Sequence, residues 1–178
     1  MDQQEFPKRK PTRWQNFDYD RSGVYFITVC TKNRTCRLSH VGDGALDVPY
    51  NKLTAEGEIV QRHLLSHLTP DLCIEKYIIM PNHVHFLLFV RAKIDGTSGA
   101  PSPTNTTASF LANRIVPRFV STFKRFCHSE IGEKIFQRSY HDHVIRNQDE
   151  YNRIWSYIER NPEFWEKDCF YTQQNLFS

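Results

Sequence analysis

Residues 73–90 read CIEKYIIMPNHVHFLLFV, and the fold follows from this stretch. Two apolar runs, Cys73 to Met80 and His83 to Val90, are joined by Pro81-Asn82, a turn pair, so they form a hairpin with both strands buried. Side chains alternate along a strand, so His83 and His85 leave the second run on one face while Val84 points into the core. Two imidazoles in an otherwise apolar strand need a reason to be there, because a buried polar group without a partner is costly. On a shared face they can chelate one metal ion.

Upstream, Val24 to Thr31 (VYFITVCT) is β-branched and aromatic, a strand long enough for a central place in a sheet. A Gly/Asp loop is expected around Gly42 to Gly44. Thr54 then caps a helix with Glu56 and Glu58 in its first turn and Ile59, Val60, Leu64 and Leu68 on one apolar face. Downstream, residues 92–107 (AKIDGTSGAPSPTNTT) offer almost nothing to bury and read as a flexible linker loop. Pro117 suits the first turn of the next helix, whose buried stripe is Phe119, Val120, Phe123 and Cys127, with Arg118, Ser121, Thr122 and Arg125 on another face. Gln137 to Arg146 is expected as a strand, and Asn147 with Glu150 as a capping box opens a last helix that runs to Pro162.

The order β, α, β, β, α, β and a further helix predicts an α+β, ferredoxin-like antiparallel sheet with its two framework helices on one face. The expected organisation is a basic N-terminal arm over residues 1–20, a domain over 21–165, and a C-terminal tail over 166–178. Lys8, Arg9 and Lys10 in the arm, and Arg118, Lys124 and Arg125 on the second helix, are the candidate phosphate contacts.

The composition bounds what such a chain can be. With 178 residues, 39% of them hydrophobic and 24% charged, it can build one globular core, which excludes a disordered or fibrous protein. A net charge of +3 is compatible with nucleic acid without requiring it. The five cysteines contain no CxxC pair, so they read as reduced packing thiols rather than as a zinc or redox motif. No apolar run suits a signal peptide or approaches the roughly 20 residues of a membrane span, which points to the cytoplasm.

A second element lies in Ser156-Tyr-Ile-Glu-Arg-Asn-Pro162. Tyr157 and Asn161, four residues apart on a helix, share one face, beside a stripe formed by Tyr151, Ile154 and Ile158. Taken alone, Tyr157 is a packing tyrosine with its hydroxyl at the rim, and Asn161 a helix end set by Pro162. Together, Met80-Pro-Asn-His-Val-His-Phe-Leu-Leu, the Tyr25-Phe-Ile-Thr-Val-Cys-Thr strand, Ser139-Tyr-His-Asp-His-Val-Ile-Arg-Asn147 and Tyr157-Ile-Glu-Arg-Asn-Pro162 resemble the HUH single-tyrosine transposases of the IS200/IS605 type, especially their REP-associated branch.

That resemblance spans about Phe17 to Trp165. It implies His83 and His85 as ligands of Mg²⁺ or Mn²⁺, Asn161 as the third ligand where the typical insertion-sequence enzymes carry glutamine, and Tyr157 as the nucleophile. The implied activity is cleavage and rejoining of single-stranded DNA through a 5′-phosphotyrosine, and the implied partners are hairpin ends or palindromic repeats. A homodimer is compatible with it, with the tyrosine serving the metal of its own subunit or of its partner. His141 and His143 share a strand face and either add a metal or phosphate contact or stand exposed. Two other readings stay open: a non-catalytic RNA-recognition-like module of the same fold, and a domesticated nickase that processes chromosomal repeats.

Overall fold

The computed structural model describes residues 23–43, 49–91 and 115–172. In chain order its elements are β1 (Gly23–Cys30), β2 (Ser39–Asp43), β3 (Pro49–Leu53), α1 (Ala55–Ser66), β4 (Leu72–Met80), β5 (His83–Val90), α2 (Ile115–Ile131), β6 (His141–Ile145) and α3 (Gln148–Arg160). Four strands form one antiparallel sheet in the order β4-β5-β1-β6, and β2 and β3 make a separate hairpin. This is the expected ferredoxin-like arrangement, with β1 central.

Strand alternation divides the side chains between the two faces of the sheet. Tyr25, Ile27 and Val29 of β1 and Val84, Phe86 and Leu88 of β5 point to one side, where they pack with Val60 and Leu64 of α1 and Val116, Phe119, Val120, Phe123 and Cys127 of α2. Fully burying a side chain the size of Phe86 contributes about 1.5–3 kcal/mol, so this layer dominates the stability. On the other face Leu87 meets Ile154 and Ile158 of α3, with Val24, Phe26, Ile78, Tyr151 and Trp155 around them. Lys76 ties α3 to β4, bonding Glu159 at 2.8 Å and lying 4.9 Å over the Trp155 ring.

The helix ends follow from local chemistry. The Gly57 N–H donates to Thr54 Oγ1 at 3.1 Å, capping α1. Gly57 is required there for a second reason: a Cβ would fall 1.9 Å from the Leu38 carbonyl oxygen, so only glycine lets the first turn press against that chain. In α3 the Glu150 N–H donates to Asn147 Oδ1 at 2.8 Å, and Glu150 reaches back to the Arg146 N–H at 2.9 Å. The helix stops at Arg160 because Pro162 has no N–H to extend the ladder, and a 3₁₀ segment, Asn161–Lys167, continues the chain.

Three expectations need correction or restriction. Gly42 lies in strand β2 rather than in a loop; the β2–β3 strands are short and polar, so pattern alone does not reveal them, and Asn51 fastens them to β4 by donating to the Ile79 carbonyl at 2.9 Å. The strand expected from Gln137 begins only at His141, because the Lys124 ammonium takes the Gln137 and Ser139 carbonyls, each at 2.9 Å. The arm at 1–20 and the linker at 92–107 lie outside the described residues.

None of the five cysteines is bridged; burial pushes the Cys30 and Cys127 thiols up to about 11 and about 12, in keeping with packing roles. Among the described residues no helix is long and apolar enough to cross a membrane.

Candidate functional site

On the α3 side of the sheet, β5 presents His83 and His85, both fully buried, with ring centroids 4.3 Å apart. Each ring is fixed through its Nδ1. His83 Nδ1 meets Asn82 Oδ1 at 2.9 Å, and His85 Nδ1 meets Thr28 Oγ1 at 2.8 Å across the β1–β5 register. A partner on one ring nitrogen orients the other toward a ligand, the arrangement that metal-binding histidines require. His83 Nε2 is buried with no hydrogen-bond partner.

α3 brings Tyr157 over this pair. Its hydroxyl lies 3.3 Å from His85 Nε2 and donates to Asp168 Oδ2 at 2.9 Å. Phe26 meets the Tyr157 ring edge-on at 6.1 Å, and Phe170 lies 4.8 Å from His83 and 5.8 Å from His85. Asn161, just after α3, is buried; its Nδ2 donates to Asp168 Oδ2 at 2.9 Å, and its Oδ1 is a second buried polar atom without a partner. The tyrosine and histidines of one chain therefore meet without a second subunit.

Asp168 is the residue that sequence reading missed. Together with His83 and His85 it offers three ligand atoms that all lie within 4.8 Å of one another. It sits in the segment expected as a tail, delivered by the 3₁₀ segment and held by the Phe170 N–H donating to its Oδ1 at 2.7 Å. No local pattern marks a lone aspartate there; its place beside the histidines comes from the 3₁₀ segment that opens with Asn161 and Pro162.

The site has a definite protonation state. Burial pulls the His83 imidazole down to about 4, with the Asp168 charge opposing, and burial together with His83 takes His85 well below the usual range. Both rings are thus neutral at pH 7, the form that binds metals. Burial alone would raise Asp168, but hydrogen bonds from the Phe170 N–H, Asn161 and Tyr157 outweigh it, so the group is a carboxylate. Burial first, and the Asp168 carboxylate second, push the Tyr157 phenol upward. Two neutral imidazoles, a carboxylate and an unpaired amide oxygen fit a divalent cation with positions to spare for a phosphate oxygen.

The other tyrosines, the β6 histidines and the basic residues of α2 lie in different surroundings. Tyr140 is buried in the α1/α2 core, and Tyr151 donates to Glu75 at 3.0 Å, its phenol raised to about 12 by burial first and that carboxylate second. His143 is exposed and bonded to Glu150 at 2.7 Å, and His141 is exposed opposite Thr28 in the β1–β6 pairing, its ring 6.4 Å from that of Phe170. Arg118 and Arg125 are exposed on α2, whereas Lys124 is only 8% exposed and its charge is committed to backbone carbonyls. Lys124 and Arg125 line a groove with Lys32, Lys134 and Arg138 and no acidic residue, on the sheet face opposite Tyr157.

No family model matches the chain. By structure it is similar to a REP-associated tyrosine transposase bound to a REP hairpin, with a TM-score of 0.55 and 19% identity over 85% of this chain and 72% of that one. The two share the fold, a four-stranded antiparallel sheet with its helices. By sequence it is 30% identical over 174 residues to a protein of Haemophilus influenzae described only as an uncharacterized protein, covering 92% of this chain and 93% of that one. At that identity over nearly the full length of both, the chain belongs to the same family as the Haemophilus influenzae protein.

Proposed function

We propose that the protein cuts and rejoins single-stranded DNA, with Tyr157 as nucleophile and His83, His85 and Asp168 as the metal site, joined by Asn161 through its free Oδ1. The observation that carries this is the Tyr157 hydroxyl, 3.3 Å from a chelating histidine and bonded to a carboxylate. The fold shared with a transposase solved on a REP hairpin supports it and suggests hairpin or palindromic DNA as substrate.

The Tyr157 oxygen attacks the scissile phosphorus, the bond to the 3′ oxygen breaks, and the 5′ phosphate stays on the tyrosine. Attack by a second 3′-hydroxyl reverses the step and joins new ends without external energy. Asp168 accepts the Tyr157 hydrogen bond and is placed to take its proton. Asn161 and the Phe170 amide hold that carboxylate in position. Mg²⁺ or Mn²⁺ held by these ligands would polarise the phosphate and offset the Asp168 charge, which adds to burial in keeping the phenol protonated. The basic groove on α2 supplies phosphate contacts for the remainder of a folded strand.

The RNA-recognition-like alternative stacks bases on an open sheet face. Here α3 covers that face, which favours the enzyme. A set of labelled single-stranded oligonucleotides that fold into hairpins tests the proposal: the protein cleaves one or more with Mn²⁺, and the His83→Ala/His85→Ala double variant does not. Undiminished cleavage by the folded double variant contradicts the metal site.

A further inference from the structure

Beside Tyr157, on the outer side of α3, lies a cavity of about 260 Å³ whose inner end is formed by Tyr157 and Asp168. Its outer wall is Arg153, Arg160, Phe164 and Lys167, none of which sequence reading singled out. Helical spacing explains the alignment: Arg153, Tyr157 and Arg160 are three to four residues apart and share one face of α3, and the 3₁₀ segment folds Phe164 and Lys167 back alongside it.

Phe164 is 42% exposed, a large apolar ring that the fold leaves open to solvent. Two cations lie close to that ring, Arg160 at 4.8 Å and Lys167 at 6.0 Å from its centroid. The arginines have weak carboxylate neighbours on the surface, Glu163 for Arg160 at 2.9 Å and Glu150 for Arg153 at 4.0 Å, which a phosphate can displace because exposed ion pairs contribute little. An open aromatic ring among cations is the recognition element of single-stranded nucleic acid: the ring stacks a base and the cations follow the backbone.

We propose that this cavity is a nucleotide subsite, in which Phe164 stacks the base next to the scissile phosphate while Arg153, Arg160 and Lys167 hold the adjoining backbone. The inference rests on the reading of Tyr157 as nucleophile for its position, and on the cavity itself for its ligand. Seating one base against Phe164 brings the neighbouring phosphate toward the inner end of the cavity, where the Tyr157 hydroxyl is. The subsite therefore positions the cut as well as binding the strand.

Binding without cleavage separates the subsite from the chemistry. In EDTA, the anisotropy of a fluorescent twelve-residue oligothymidylate reports binding by the whole protein, Phe164→Leu, and the triple variant Arg153→Gln/Arg160→Gln/Lys167→Gln. Phe164→Leu is expected to lose about tenfold in affinity, the cost of one lost stack. The triple variant is expected to flatten the dependence of log affinity on log salt by about 2, near 0.7 for each phosphate contact on a single strand. An oligothymidylate carrying 5-iododeoxyuridine should also photo-crosslink to the peptide containing Phe164. Unchanged affinity and salt slope, or a crosslink that maps only to the α2 groove, overturns the subsite. Binding is read without metal, so absence of cleavage in the wild type would remove the nuclease reading and leave the subsite standing.

Discussion

The two faces of β5 contrast within eight residues. Val84, Phe86 and Leu88 point toward α1 and α2 and pack in the apolar core, while His83 and His85 point toward α3, where His83 Nε2 is buried without a protein partner. One face lowers the free energy of the fold. The other gives some of it up, because a desolvated imidazole without a partner is destabilising unless a ligand completes it. The difference marks one face as the source of stability and the other as the candidate site, independently of any relative.

The contrast breaks if substitutions on the two faces behave alike. Phe86→Ala is expected to cost about 3–5 kcal/mol of stability, the range for deleting a large aromatic side chain from a packed core, read as a drop in the denaturant midpoint. The His83→Ala/His85→Ala variant, measured in chelator, should lose far less than that while losing divalent-ion binding. A loss as large as that of Phe86→Ala would mean that the histidines serve mainly as packing.

A pH series sharpens the same point. Both histidines titrate below the usual value of 6.5 in the folded chain, His83 at about 4, whereas in the unfolded chain they titrate near 6.5. Their contribution is fully present above pH 6.5, and it is lost as pH falls toward the folded values, because the unfolded state then binds more protons. Metal-free protein should therefore lose up to about 1.4 kcal/mol per pH unit for each histidine below pH 6.5. The double alanine variant should show a shallower decline, and an identical pH profile would contradict the assignment. The smallest effect is on the frame that carries Tyr157: Asn147→Ala removes the α3 cap and should cost about 1 kcal/mol in the thermal or denaturant midpoint.

The apolar face was legible in the sequence because it obeys periodicity. The 2.0 period of β1 and β5 and the stripe Phe119, Val120, Phe123 and Cys127 assign the core directly. His83 and His85 were legible for the same reason, as polar interruptions of an apolar strand. What escaped reading depends on contacts distant in sequence. Asp168 arrives through a 3₁₀ turn, the inward course of Lys124 depends on carbonyls thirteen and fifteen residues away, and the β2–β3 hairpin is held by backbone pairing that leaves no apolar pattern. The cavity around Phe164 was hidden likewise, since its wall joins a helix to the turn that follows it.

The measurement closest to the central claim is covalent capture. The protein is incubated with a labelled single-stranded hairpin and Mn²⁺, denatured, and the labelled adduct is digested and mapped by mass spectrometry. The account predicts an adduct on Tyr157 through the 5′ phosphate of the cut strand, absent in Tyr157→Phe although that variant folds and binds the hairpin as the wild type does. An adduct on Tyr140 or Tyr151, or one that persists in Tyr157→Phe, would contradict it.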